Sequence, residues 1–579
     1  MKRQNIVAFS TFSRAAYAAI AIALAVPATV SAEVGSGAYL AGRHAVYASD
    51  FVAAARYYSL ALAQDINNHS LMENVTLSQL ALGRLERALP VAARMESLGI
   101  RSQIAHIAVV ADLIVNKKYD SLLDREGESQ GVGDLADGLV AAWSHMGNGS
   151  VALALEEFDK VAEQSGLRGF AMYHKALALA LVGDFEGAEA IFADESNGQG
   201  LLTRRGLVAR AQILSQLGRD SDALEMLTDG FSSQFDPSLT ALTDRLAAGD
   251  LPPFDQVTSV QDGMAEVFFT IGAALNGEAA DEYTLVYARV AGYLRPGHIE
   301  ATLLSAQLLD SLGQYDLAVQ TYKQVPQSSA DRHAAELGRA EALRRAAKPD
   351  AAIEVLERLT LDYPTLPLVH SSLGDLLRQQ EDYTGAVAAY DKALEFTEEG
   401  DRSQWFLLYA RGIAHERLGN WAESEADFRK ALDLNPDQPQ VLNYLGYTLV
   451  ERQEKLDEAL DMIQRAVAAR PDSGPIVDSL GWVLYRLGRY EEAVGPMVKA
   501  GALMAVDPVV NDHLGDVFWA VGRKREAEFQ WRRALSFIDP DDTDGEADPD
   551  KIRRKIEVGL DQVLLEDGDD PLKVANDDG

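Results

Sequence analysis

Small residues return along this chain at a spacing close to 34, and that period constrains the fold more than any other feature. In the second half they stand at Gly272, Ala306, Ala340, Gly374, Gly412, Gly446, Gly481 and Gly515, separated by 34, 34, 34, 38, 34, 35 and 34 residues. Twelve positions after five of these come Ala318, Ala352, Ala386, Ala493 and Ala527, and Ala459 follows Gly446 one position later through a single insertion. Sixteen after the first small residue the side chain is large: Tyr322, Leu356, Tyr390, Phe428, Met497 and Trp531.

A unit of this length is two antiparallel helices, with a small residue where the backbones cross and a large one filling the gap beside it. Each half reads at helical period, as in Leu480, Val483 and Leu484, then Ala493, Met497 and Ala500. Leu-Gly-Asn at 418–420, Leu-Gly-Arg at 487–489 and Val-Gly-Arg at 521–523 place glycine where the first helix must end in a left-handed conformation. Pro364, Pro436, Pro471 and Pro508 precede or begin the next unit, where a missing amide proton costs little. One such pair cannot cover its own apolar face, so the units must stack. The predicted fold is an all-α solenoid superhelix of antiparallel helix pairs.

The stretches LGYTLV, DEALDMIQRAVAARP and LGWVLYRLGRYEEAV resemble the tetratricopeptide repeat, with its Leu-Gly, Tyr, Ala, aromatic, Ala and Pro. The resemblance is dense over 262–540, the expected C-terminal array. It thins over 33–230, where Gly42, Thr76, Ala142, Ala176 and Ala211 hold the first small position and Ala54, Ala88, Ala154, Ala188 and Ala223 the second. Thirteen repeats are expected, the one near 100–124 degenerate. Between the arrays, 231–261 carries Pro252-Pro253 and loses the pattern, so it reads as a linker with one irregular helix.

Residues 1–32 are set apart by Lys2, Arg3 and Arg14 with no acid, an apolar run from Ala15 to Val26, and Val30-Ser31-Ala32. That is the make-up of a secretory signal peptide cleaved after Ala32, and twelve apolar residues fall short of the roughly 20 that span a bilayer. An exported, soluble, periplasmic mature chain is expected. Loss of three positive charges takes its formal charge from -35 to -38. Such a balance repels phosphate backbones and anionic headgroups, arguing against nucleic acid as a partner. With no cysteine, disulfides, thiol catalysis, Cys-ligated zinc and a bacterial lipoprotein anchor are excluded. At the other end, 541–550 is an acidic link, Lys551 to Leu565 reads as one amphipathic capping helix, and 566–579 as a disordered tail.

No chemical motif survives its context, and neither a catalytic set, a metal site nor a cofactor is expected. Gly127-Glu128-Ser129-Gln130-Gly131 fits the spelling of a nucleophile elbow, but the polar DSLLDRE before it is not a buried strand. The acidic run after Pro540 starts like a calcium loop and lacks the first and twelfth ligands. His415-Glu416 continues with Arg417 and Leu418 instead of a second histidine.

Function is therefore expected on a binding face. The resemblance implies that the first helix of each repeat lines a concave groove, which assigns Asn443 and Tyr447, then Asp478, Trp482, Tyr485 and Arg486, then Asp512 and Asp516, with Arg344, Arg345 and Arg378 earlier. Aromatic, amide and guanidinium groups in such a row suit an extended peptide or a partner helix. Trp482 is equally suited to packing between neighbouring helices, whereas Asn443, Tyr485 and Arg486 are expected to be exposed. The block Leu442 to Leu535 is similar to the last repeats of exported proteobacterial scaffolds, one group of which serves a periplasmic carboxy-terminal-processing protease. Members of that group are anchored through a cysteine that this chain lacks. The leading expectation is a non-enzymatic scaffold or adaptor, with an envelope or secretion assembly factor as the alternative and an enzyme centred on 231–261 as the third.

Overall fold

The computed structural model describes residues 31–125, 127–197, 203–230, 236–539, 547–568 and 572. The expected leader lies, up to residue 30, outside them, as do most of the acidic link and of the tail. The fold is all-α, and the described residues contain helices and turns without a strand. Among them no helix is long and apolar enough to cross a membrane.

The small positions do what the spacing requires. Ala54, Thr76, Ala88, Ala142, Ala154, Ala176, Ala188, Ala211 and Ala223 are fully buried in the first half, as are Ala306, Ala318, Ala352, Ala386, Ala459, Ala493 and Ala527 in the second. A Cβ on Gly374 would stand 2.8 Å from the Tyr390 ring, one on Gly412 2.8 Å from Phe428, and one on Gly446 2.8 Å from Ile463. Gly481 meets Met497 and Gly515 meets Trp531 in the same way. Glycine thus sets the helix spacing, and the large residue of the second helix fills the notch. The turn glycines Gly419, Gly488 and Gly522 have φ of 76°, 77° and 80°, ending the first helices as expected. At the one-residue insertion, Gln453 and Lys455 take positive φ instead.

The described residues fall into two compact units, divided between Tyr363 and Pro364. This division falls a hundred residues beyond the expected linker, because 260–294 shares a core with the first array. Helix Val260–Leu275 packs on Asp134–Gly147, and Asp281–Leu294 on His69–Ala81 and Gln103–Val115. Gly263 lets the first of these come against the fully buried Trp143, and Arg289 Nε donates to the Ala81 carbonyl at 3.0 Å. Among its described residues the expected linker holds one helix that lies wholly within it, Pro237–Ala247, whose start Asp236 caps by accepting the Ser238 and Leu239 amides, both at 3.1 Å. That helix joins Arg204–Gln216 and Asp220–Gly230 in a small separate core of Ala211, Leu214, Ala223, Leu227, Leu239, Leu242 and Leu246. The degenerate repeat is helix Gln103–Val115 followed by the short Tyr119–Leu123, and Ser129 sits in a four-residue helix, Gly127–Gln130, with no strand before it.

Among its described residues the second unit has five helix pairs in sequence, from Pro367–Gln379 with Tyr383–Glu395 to Pro508–Ala520 with Lys524–Phe537. The expected single capping helix is two, Pro549–Val558 and Leu560–Asp567, broken at Gly559, whose φ of 88° fits over the Trp519 ring. Ile552, Leu560 and Val563 are buried there and close the apolar end of the stack. Glu566, expected in the tail, belongs to the second of these helices and accepts two bonds from Arg554, at 3.1 and 2.8 Å.

Candidate functional site

In the second unit the first helices Pro439–Glu451, Gly474–Arg486 and Pro508–Ala520 carry Asn443, Asp478 and Asp512/Asp516 at matching registers. The structure brings them together around two adjoining hollows. One, of about 410 Å³, is lined by Asn443, Tyr447, Glu451, Asp478, Asp507 and Val510 among others. The other, of about 370 Å³, is lined by Tyr447, Glu451, Trp482, Tyr485, Arg486, Asp512 and Asp516, with Lys551 and Lys555 across from them.

Burial corrects part of the expected contact row. Tyr485 is 8% exposed, not a free side chain, because its ring stacks on Trp482 at 4.9 Å and meets Tyr490 at 5.4 Å. Trp482 is pressed between Tyr485 and His513, the latter at 3.9 Å, and its Nε1 donates to Glu451 Oε1 at 2.6 Å. It packs between neighbouring first helices. Asp478 is buried and accepts from His513 Nδ1 at 3.0 Å; burial, the largest single influence, would lower the His513 pKa, but the charge and hydrogen bond of Asp478 together with the charges of Asp512 and Asp516 raise it. Asn443, Tyr447 and Arg486 remain half-exposed, with the Arg486 guanidinium 5.9 Å from the Trp482 ring.

Asp512 and Asp516 are covered from the chain's own C-terminal end. Lys555 Nζ lies 2.9 Å from both Asp512 oxygens and 2.8 Å from Asp516 Oδ2, while Trp531 Nε1 donates to Asp516 Oδ1 at 2.9 Å. Burial works against the Lys555 charge, and the two carboxylates overcome it, holding the ammonium above its ordinary pKa. Sequence reasoning recognised a cap here and missed that its lysine completes the acidic pair.

The earlier arginines are engaged locally. Arg378 Nε donates to the Tyr390 hydroxyl at 3.2 Å beside Asp375. Arg344 grips Glu341 at 2.7 and 2.6 Å, and Arg345 reaches Asp310 at 2.5 Å. Arg344 and Arg345 lie in the first unit.

That unit holds a feature absent from the expected site: a cavity of about 750 Å³ walled by Phe170, Phe269, Ala273 and Ala274, with Tyr173, Arg204, Arg205 and Glu300 on its polar side. Behind it Glu266 is fully buried, accepting two bonds from Arg205 at 2.8 and 2.7 Å, one from Tyr173 Oη at 3.0 Å and one from His298 Nε2 at 3.2 Å. Arg205 also reaches Glu300 at 2.7 Å. The available signal was a lone acid inside the apolar run GMAEVFFTIG, a pattern that marks a buried and paired charge. Among the described residues no group of three or more His, Asp or Glu is arranged to hold a metal ion.

Against this geometry, the family model for the tetratricopeptide repeat matches residues 337–401, 409–474 and 452–500. The chain carries tetratricopeptide repeats. It is 29% identical over 183 residues to the TPR repeat-containing protein PA4667 of Pseudomonas aeruginosa, covering 31% of this chain and 30% of that one. Over 211 residues it is 25% identical to human aspartyl/asparaginyl beta-hydroxylase, covering 34% of this chain and 27% of the enzyme. The chain thus spans under a third of the length of these relatives. Among solved structures, Cut9 with Hcn1 from the APC/C aligns over 90% of this chain and 96% of its own at 12% identity, with a TM-score of 0.37. Tetratricopeptide-repeat folds typically bind proteins and are typically not enzymes, and the hydroxylase likeness is confined to the repeat region.

Proposed function

We propose that this protein is a non-enzymatic scaffold that is exported and holds protein partners on the first-helix face of its second unit. The observation that carries this reading is the row of half-exposed Asn443, Tyr447 and Arg486 beside buried, fixed Trp482, Tyr485 and Asp478. A rigid aromatic floor with adaptable polar groups at its edge is what a peptide-holding surface needs. A carboxy-terminal-processing protease of the envelope is the partner class we put first, on the sequence similarity of 442–535 to scaffolds of such enzymes. An assembly factor of the cell envelope is the second reading.

Export rests on residues 1–32 and is tested by intact mass. Protein from the native host is expected to begin at Glu33, and a soluble full-length cytoplasmic species would rule export out.

Partner binding is tested by capture from periplasmic extract, followed by dissociation constants for variants. Tyr485→Ala would disturb the ring stack, so the clean pair is Asn443→Ala and Arg486→Ala. Each is expected to leave the melting temperature unchanged and to weaken binding by ~2 kcal/mol where it is a hot spot. If both bind like the parent while removal of residues 33–230 abolishes binding, the site lies in the first unit.

A further inference from the structure

The two adjoining hollows of the second unit share Tyr447, Glu451 and Val509, and the chain has treated them differently. In the smaller, the acids Asp512 and Asp516 are matched by Lys555, with every ammonium contact between 2.8 and 2.9 Å. The larger also gathers acids and has no lysine in its lining. Its wall holds Glu416, Glu451, Asp478 and Asp507, with Arg417 the one lysine or arginine among its described lining residues.

The hydrogen bonds there leave acceptors over. Glu451 takes Trp482 Nε1, Glu416 takes the Tyr444 hydroxyl at 3.2 Å, and Asp507 takes the Val510 amide at 3.0 Å. Asp478 is only 5% exposed, and its Oδ2 is used by His513, but its Oδ1 has no donor; Asn443 Oδ1 in the same wall has none either. A buried carboxylate oxygen without a donor is costly and is ordinarily matched. Beside these oxygens, Met504, Val509 and Val510 offer an apolar strip of the kind that the methylene stem of a lysine covers.

We infer that this hollow seats a lysine side chain of the partner, its stem along Met504, Val509 and Val510 and its ammonium among Asp478, Asn443 and Glu451. The inference rests on the scaffold reading and adds the partner's chemistry to it: a segment presenting lysine to these acids, as the chain's own Lys555 does for Asp512 and Asp516 next door. Strong acidity of the whole chain, -35 in formal charge, favours the approach of such a segment.

The probe is an acetylated, amidated peptide Ala-Ala-Leu-Lys-Leu-Ala-Ala, titrated against full-length protein and followed by saturation-transfer NMR. Its norleucine analogue removes the charge and keeps the stem. The lysine peptide is expected to receive saturation at its ε-methylene and to bind about tenfold more tightly than the analogue, a gap that Asp478→Asn and Glu451→Gln each close. Asp375→Asn, outside the hollow, should leave the gap intact. Equal binding of the two peptides, still sensitive to Tyr447→Ala, would overturn the lysine seat and leave the scaffold reading standing. Absence of binding by either peptide up to ~10 mM overturns the seat as well. Free cadaverine binding as tightly as the peptide, with the same dependence on Asp478, would make this a site for a small diamine and overturn its assignment to a protein partner.

Discussion

Replacing Glu266 by alanine is expected to destabilise the first unit by about 3–5 kcal/mol, the cost of stripping one partner from a buried ion pair. Nothing at the position is in water: Arg205, Tyr173 and His298 all converge on the carboxylate, and their polar hydrogens would be left facing a void. Urea denaturation followed by far-ultraviolet dichroism should show the loss in the transition of the first unit, and a midpoint like the parent's would refute it. The same carboxylate has a pH signature. Burial alone would raise its pKa, but Arg205 foremost and His298 next bring it down from 4.5 to about 2. A depressed acid contributes stability that is complete above its unfolded value and is lost as pH falls through the folded one. The shift corresponds to on the order of 3 kcal/mol, disappearing between about pH 4.5 and 2. His298 works in the opposite direction. Burial would lower it, and Glu266 and Glu300 raise it, so its contribution is complete below its ordinary 6.5 and declines as pH rises through the folded value. In Glu266→Ala both slopes should flatten together.

The second large effect is expected at Gly481→Leu. A Cβ alone would already collide with the Met497 side chain and come within 3.3 Å of the Met497 amide nitrogen. A leucine must therefore push apart Gly474–Arg486 and Tyr490–Leu503, which pack directly against each other. Overpacking of this kind costs about 1–3 kcal/mol or more. Ala493→Leu, on the other side of the same crossing, should behave alike. Far-ultraviolet dichroism is expected to remain wholly helical with the melting transition lowered or split. A variant that melts like the parent would mean that the crossing is looser than the glycine implies.

Repeat register, turn glycines and buried small residues were legible because each is local: one residue type satisfies one backbone or packing need at a fixed spacing. The return of 260–294 to the first array was not legible, since it depends on which distant helix meets Gly263, and Trp143 lies 120 residues earlier. Exposure failed at Tyr485 for a related reason. Register puts it among the residues lining the smaller hollow, but His513 and Trp482 from two helices stack into one column with it, and that three-ring arrangement is not written in any single repeat. The Lys555 contact was hidden by the acidic stretch before it, which separates the lysine from its two aspartates by about 40 positions.

The different internal wiring of the two units bears on how a protein like this can change length over generations. In the second, each helix pair packs on its sequence neighbours within the unit. A duplication or deletion of 34 residues there hands the newcomer the same two faces its predecessor had, and the row of first helices simply lengthens or shortens. In the first, helices Val260–Leu275 and Asp281–Leu294 must arrive against partners laid down more than a hundred residues earlier. Inserting a whole repeat between them would carry Gly263 away from Trp143 and Arg289 away from the Ala81 carbonyl. Gain and loss of repeats is therefore open to the second unit and closed to the stretch 69–294 of the first, so that variation in the length of the proposed binding face is free to accumulate while the core around the buried Glu266 stays one size.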